Sequence, residues 1–399
     1  MGKSPLNMAL HGLLLGLLLL STTQAQPARL AGQSRGWEGL SISHAPREKP
    51  SHRILPHPSG RPASSRGNGA MSGHQVLGSQ KLNALRGDGS LRLNGENYRV
   101  EAGSNKIVCF GPVAVYDTDG AITVFAPNAD MSVVHHMILV GSDDAHGSCH
   151  KHHGIVWSWA RTGQDRDHPK VLELPAGKGF NLGKSHGRTH LHLEIHYVNR
   201  GEEDVYDSSG AILTLDTSRV EVNLSVQILY RVGIAIPPGQ RLYTVCDAFQ
   251  VAEPYASRRR HGDVTTPVEF VAHRVHAHAA GVRIETHHYR NGIKLGVIAS
   301  RSPQDAQLYY LLDYPHTIEP GDYLILYCFY NTEGRDFTTY MGGDDLREEM
   351  CNHYLMYTGN MRVQSLYNKI AARLLPGNPD YPDDLDEFAK EFEREGCLK

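Results

Sequence analysis

HLHLEIHYV, residues 190–198, decides the fold class. His190, His192, Glu194 and His196 alternate with Leu191, Leu193, Ile195 and Tyr197. Alternate side chains of an extended strand share a face, so this is a β-strand with one apolar and one polar side. The polar side must meet water or a metal-lined cleft, because buried polar groups without partners are costly. For His190 and His192 the expectation is solvation. Outward from this stretch the texture repeats. Ile122–Phe125, Ser132–Val140, Ala211–Leu215, Glu221–Tyr230, Pro267–His278 and Tyr323–Tyr330 are rich in β-branched and aromatic residues, with Gly, Pro, Asn and Asp between them. Helical periodicity is scarce before the tail. The pattern predicts an all-β sandwich class, and a composition break near Asp216-Thr217-Ser218 could divide two sandwiches of similar size.

The flanks read differently. Lys3, the leucine-rich run Ala9–Leu20 and the small-residue site Thr23-Gln24-Ala25 predict a secretory signal over 1–25. A Pro-, Ser-, Gly- and Arg-rich leader is predicted over 26–90. Residues 91–216 and 217–362 form the two globular segments, and 363–399 an acidic tail whose DEFAKEFEREG stretch reads as a short, solvated helix. No later run is long and apolar enough for a membrane span. A net charge of −3 gives no basic field for nucleic acid. Six cysteines (Cys109, Cys149, Cys246, Cys328, Cys351 and Cys397) fit three disulfides of a secreted protein, and about fifteen pairings are open. Asn223-Leu224-Ser225 is a glycosylation sequon. No nucleophile elbow, P-loop or dinucleotide fingerprint is present.

Three phrases carry chemistry. In HRVHAH, 273–278, a strand projects Arg274, His276 and His278 together: two imidazoles for a metal, and a guanidinium shaped for a carboxylate. In SVVHHMILV, His135 and His136 point to opposite faces of a regular strand. Binding one metal would require a distorted backbone there or different ring nitrogens; otherwise one histidine faces in and one out. EEMCNHYLMY, 348–357, contains Met350, Asn352 and Tyr354. A thioether is a soft ligand favouring Cu(I), although such a methionine also serves as core packing.

The ordered set HHM, LEIHY, RVHAH and EEMCNxY resembles the copper type II, ascorbate-dependent monooxygenases over residues 95–362. FAPNADMSVVHHM, WSWAR at 157–161, IPPGQ at 236–240, YNTEGR at 330–335 and MGG at 341–343 support it. The resemblance implies two tandem antiparallel β-sandwich, jelly-roll-like domains with a cleft between them. It implies two copper ions, one on His135, His136 and His196, the other on His276, His278 and Met350, with ascorbate as reductant and dioxygen as co-substrate. It pairs Cys109 with Cys149 and Cys328 with Cys351, leaving Cys246 for Cys397.

Two branches of that family compete. One hydroxylates the α-carbon of a C-terminal glycine in peptides, the first step of peptide amidation. Arg274, Asn352, Tyr354 and LPAGKGFNLG at 174–183 favour it, with Arg274 gripping the peptide carboxylate. The other hydroxylates dopamine or tyramine, and LEIHYVN, DSSG at 207–210 and YNTE resemble it. Val140, Ser142, Glu194, Glu269 and Ala277 depart from the usual signatures, so a secreted copper-binding protein without catalysis is a third reading. The leading expectation is a secreted or granule-lumen peptide hydroxylase, with a separate lyase processing its product.

Overall fold

The computed structural model describes residues 81–397 except 88, 116, 119, 146–148, 150–153, 161–170, 218–220, 253–267, 344–346, 360, 368–369 and 371–385. The signal, most of the leader, the HGSCHKHH histidines apart from the adjoining Cys149, and the first acidic residues of the tail lie outside these residues. The described residues are nearly all β, and none of their helices is long and apolar enough to cross a membrane.

In the first half, the strands Asn105–Ala114, His190–Val198, Val134–Ser142 and Ile155–Ala160 form a four-stranded sheet in that order. It shares one apolar cluster with Ser90–Gly95, Ala121–Asn128, Lys178–Asn181 and Gly210–Asp216. In the second half, Ile293–Arg301, Gly281–Arg290, Tyr323–Tyr330, Tyr243–Val251 and Val363–Ser365 form a five-stranded sheet. It packs on Val222–Tyr230, Asn352–Thr358, Val268–His276 and Tyr310–Ile318.

The predicted division near residue 216 is not a break in the sheet. Val222 and Asn223 pair in parallel with Lys178 and Gly179, joining strands of both halves into one ten-stranded sheet. Arg188 reinforces the join. Its Nη1 donates to Asn181 O and to Asn223 Oδ1 at 3.0 and 2.8 Å, and its Nη2 to Leu224 O at 2.7 Å. Burial pushes this guanidinium down to about 10. Lys178 and Glu269 add an ion pair at 3.1 Å. The sequon asparagine, Asn223, is half-buried within this junction.

Two predicted boundaries move. Leu82–Gly87 is already a strand, hairpinned to Ser90–Gly95, so the leader does not extend to residue 90. Gly89, at φ 68°, supplies the backbone conformation that this two-residue connection needs. The tail is not simply solvated either. Val363–Ser365 extends the five-stranded sheet, and the helix Asp386–Arg394 buries Ala389 and Phe392 against Tyr289, Ile325 and Tyr327. The Tyr289 and Tyr327 hydroxyls both donate to Glu391, and Cys397 is bonded to Cys246. The other disulfides join Cys109 to Cys149 and Cys328 to Cys351.

The second core holds a polar chain. Thr286 Oγ1 lies 2.7 Å from His353 Nδ1, and His353 Nε2 lies 3.1 Å from His273 Nδ1. Burial, then the Arg301 charge, pushes His273 down to about 4; burial, then His273, holds His353 well below its usual value. The unfolded chain therefore takes protons that the folded chain refuses. Stability is full above pH 6.5 and falls as pH drops toward 4. For His273 alone the loss at pH 5 is about 2 kcal/mol. Urea midpoints of metal-free protein at pH 7 and pH 5 should show this decrease, and His273→Gln should shrink it.

Candidate metal centre

The first histidine cluster depends on a backbone irregularity. His196 lies opposite His136, but Tyr197 lies opposite Val134, which leaves His135 as the extra residue of a bulge. Bulges re-aim side chains, and this one turns both neighbouring imidazoles to the same side. The Nδ1 atoms converge: His136 Nδ1 is 3.3 Å from His135 Nδ1 and 3.3 Å from His196 Nδ1. Two ligands each about 2.0 Å from one tetrahedral centre lie about 3.3 Å apart. His196 Nε2 lies 2.5 Å from Asn105 Oδ1, an acceptor, so Nε2 carries the proton and Nδ1 offers its lone pair to the cluster. Burial, then the neighbouring His196, His135, His276 and Arg274, holds His136 well below its usual value. An unprotonated imidazole is the form a metal requires.

The second set forms at the end of Val268–His276. A bulge at Val271 shifts the strand's parity. Val268 and Phe270 pack in the second core, as do Val275 and Ala277, whereas Arg274 and His276 turn toward the first half. His276 Nδ1 donates to Gln307 Oε1, and His278 Nδ1 to Glu348 O at 2.9 Å. Both rings therefore present Nε2, with centroids 5.4 Å apart. Glu349, 0 % exposed, braces the turn: its carboxylate accepts the His278 and Ala280 N–H groups at 2.7 and 2.6 Å and pairs with Arg335 at 3.5 Å. Burial raises its pKa. Met350 follows directly. The Cys328–Cys351 bridge and a 2.6 Å bond from the Tyr330 hydroxyl to Met350 O fix its backbone. Asn352, opposite His276, donates Nδ2 to Met350 Sδ at 3.5 Å.

Among the described residues, His135, His136 and His196 form the group of three His, Cys, Asp or Glu whose ligand atoms lie within 4.8 Å of one another. The second set reaches three only by including the thioether. Three imidazoles, and two imidazoles with a thioether, suit copper and are poor company for magnesium or calcium.

The two sets adjoin. The His136 and His276 ring centroids are 6.5 Å apart. Burial first, then the Arg274 and His278 charges, lowers His276 well below its usual value. Arg274 is 3 % exposed. Its Nε donates to Gln307 O at 2.9 Å and its Cζ lies 4.8 Å from the Tyr354 ring centroid. Among the described residues no carboxylate pairs with it and no acceptor meets its Nη groups.

One expectation is overturned. His192 is 0 % exposed, not solvated, enclosed by neighbours that include Gly111, Ser142 and Asp144. Its Nε2 lies 3.3 Å from Ser142 Oγ, and Nδ1 has no hydrogen-bond partner. Sequence reading also missed Asn105, Gln307 and Glu349, which set the tautomers and the turn. They are single polar residues in unremarkable contexts, and only the fold brings them to the histidines.

Residues 224–376 match the family profile described as copper type II ascorbate-dependent monooxygenase, C-terminal domain. The matched segment is a C-terminal domain of the copper type II, ascorbate-dependent monooxygenase family. Relatives in this family include peptidyl-glycine alpha-amidating monooxygenase B of Xenopus laevis, 26% identical over 285 residues, 68% of this chain and 30% of that one. The Mus musculus peptidyl-glycine alpha-amidating monooxygenase is 28% identical over 266 residues, 64% and 25% of the two chains. The Homo sapiens DBH-like monooxygenase protein 1 is 31% identical over 216 residues, 51% and 33%. The chain thus spans about a third or less of these monooxygenases. Among solved structures, the major capsid protein P2 of bacteriophage PM2 aligns over 68% of this chain and 97% of its own at 10% identity, but a TM-score of 0.29 carries no argument.

Proposed function

We propose that this chain is a secreted peptide hydroxylase that binds two copper ions and hydroxylates the α-carbon of a C-terminal glycine. The observation that carries this reading is Arg274: a buried guanidinium with no carboxylate partner among the described residues, two positions from His276. A buried charge calls for a partner, and a peptide carboxylate supplies one. Overall, peptide-NH-CH2-COO⁻, dioxygen, and two electrons and two protons drawn from ascorbate give peptide-NH-CH(OH)-COO⁻ and water. A separate lyase would complete amidation.

Copper, when bound, supplies one-electron redox chemistry and activation of dioxygen. His135, His136 and His196 would hold the copper that receives electrons from ascorbate. His276, His278 and Met350 would hold the copper at which oxygen reacts. Gln307 and Glu348 O keep the protons of His276 and His278 on Nδ1, leaving Nε2 free to ligate. Arg274, Asn352 and Tyr354 would orient the glycine against that centre, and the disulfide beside Met350 limits drift of the thioether.

The identity to a DBH-like protein keeps an amine-hydroxylating reading in play. A cationic amine, however, gives Arg274 no partner. Turnover of a glycine-extended peptide and of tyramine, each with copper and ascorbate, decides between them. Efficient tyramine turnover with none of the peptide would overturn the peptide reading. Met350→His tests the thioether. It exchanges a soft ligand for a harder one, so copper should be retained and turnover sharply reduced. Activity near wild type would make Met350 core packing.

A further inference from the structure

The rows beside the two ligand sets carry polar groups that the proposed chemistry does not use. In the first half, the row His196–His136–Ala160 contains the ligands. Two residues along, the next row on that face is Glu194–Ile138–Ser158. In the second half, the row His276–Asn352 is followed by Arg274–Tyr354. Since His136 faces His276, Ser158 and Arg274 occupy corresponding rows of opposed sheets. Tyr309, from the segment joining the last two strands before Tyr323, lies between them. The groups bearing on its phenol are Arg274, Ser158 and Tyr354.

Both hydroxyls are buried, Ser158 at 2 % and Tyr309 at 7 % exposure; they face each other, and neither bonds any other group of the protein. Burying a polar group without a partner costs about 1–3 kcal/mol. Apolar isosteres, Phe and Ala, would remove that cost without changing the shape. Two such groups beside a guanidinium whose Nη groups meet no acceptor among the described residues define a site rich in donors. A carboxylate offers about four acceptor positions. The two Nη groups, the phenol and the serine hydroxyl match that number. Burial raises the Tyr309 phenol above its usual range, so it remains a protonated donor. A primary amide would bring N–H groups against these donors.

We propose that Tyr309 and Ser158 are specificity-determining residues, which together with Arg274 complete a donor-rich pocket for the terminal carboxylate of the substrate, one wall from each half of the chain. This rests on the peptide reading above. It adds that discrimination between a free acid and its amide resides partly in these two hydroxyls.

The test uses full-length protein, N-acetyl-Ala-Gly and its C-terminal amide. Calorimetric Kd, KM, kcat and the thermal midpoint without ligand are measured for wild type, Tyr309→Phe, Ser158→Ala and Arg274→Gln. Tyr309→Phe should raise Kd and KM for the acid about tenfold, the value of one hydrogen bond to a charged group. Its kcat and its affinity for the amide should hardly change. Ser158→Ala should act the same way, more weakly. Neither should lower the thermal midpoint appreciably, because the two hydroxyls have only each other as partners and each variant removes a buried polar group with an unmet bond. Unchanged acid affinity in both variants, while Arg274→Gln weakens it, overturns this inference and leaves the peptide reading standing. Unchanged acid affinity in all three variants overturns the peptide reading itself. A lowered midpoint with equal losses for acid and amide assigns the hydroxyls a structural role and also overturns the inference.

Discussion

Replacing His276 with alanine is expected to reduce bound copper from two ions per chain to one and to lower turnover by more than about a hundredfold. The bound follows from what lies outside the ligands: outer partners such as Gln307 typically account for 10–100-fold in affinity or activity, roughly, so loss of the ligand itself should exceed that. His276 is buried between Gln307, His278 and Arg274, so no neighbouring imidazole can swing into its place without losing its own bond. Copper-to-protein ratios after dialysis, alongside His135→Ala as the matching loss at the other cluster, give the measurement. Each variant should keep one copper, and the double variant none. A protein that binds one zinc, whether or not His276 is present, would remove the assignment.

Arg274→Gln should weaken binding of the free-acid peptide by about 2–5 kcal/mol, because it removes one partner of a desolvated charged pair. Copper content should hold, since the guanidinium is not a ligand. Amidating the peptide removes the same interaction from the other side. The two changes combined should therefore cost little more than either alone. Additive losses, or equal processing of acid and amide by the wild type, would count against a carboxylate clamp.

Much of this site is legible in residue patterns, because strand parity is a local property. The alternation of HLHLEIHYV places Glu194 and His196 opposite a face of Leu193 and Ile195, and the structure has that arrangement. HRVHAH puts Arg274 and His276 on one side in the same way. The His135–His136 pair left a choice between a distorted strand and divergent rings. The bulge resolves it, and nothing in VVHH announces an unpaired residue. Features made by distant chain were invisible. The covering of His192 depends on Gly111, Ser142 and Asp144, which are 48 or more residues away in the chain. The parallel contact of Lys178 and Gly179 with Val222 and Asn223 is two residues long, too short to leave a periodic signature. The end of the leader was misjudged for a related reason: Leu82–Gly87 lacks strong β-formers and is a strand because Ser90–Gly95 and Gly210–Asp216 extend a sheet beside it.

That short parallel contact constrains how the molecule can move. A free hinge between the halves would have to break the pairing at Val222 and Asn223 and strip Arg188 of the two acceptors that lie across the junction, Asn223 Oδ1 and Leu224 O. Any change in the spacing between the rings of His136 and His276 therefore has to come from twisting or shearing of the shared sheet, with the junction as its fixed axis. Residues 217–362 expressed alone would expose the edge of Val222–Tyr230 that Lys178–Asn181 now covers, an open template for strand addition. The halves are thus less like two proteins joined by a tether than like two leaves folded from one ribbon.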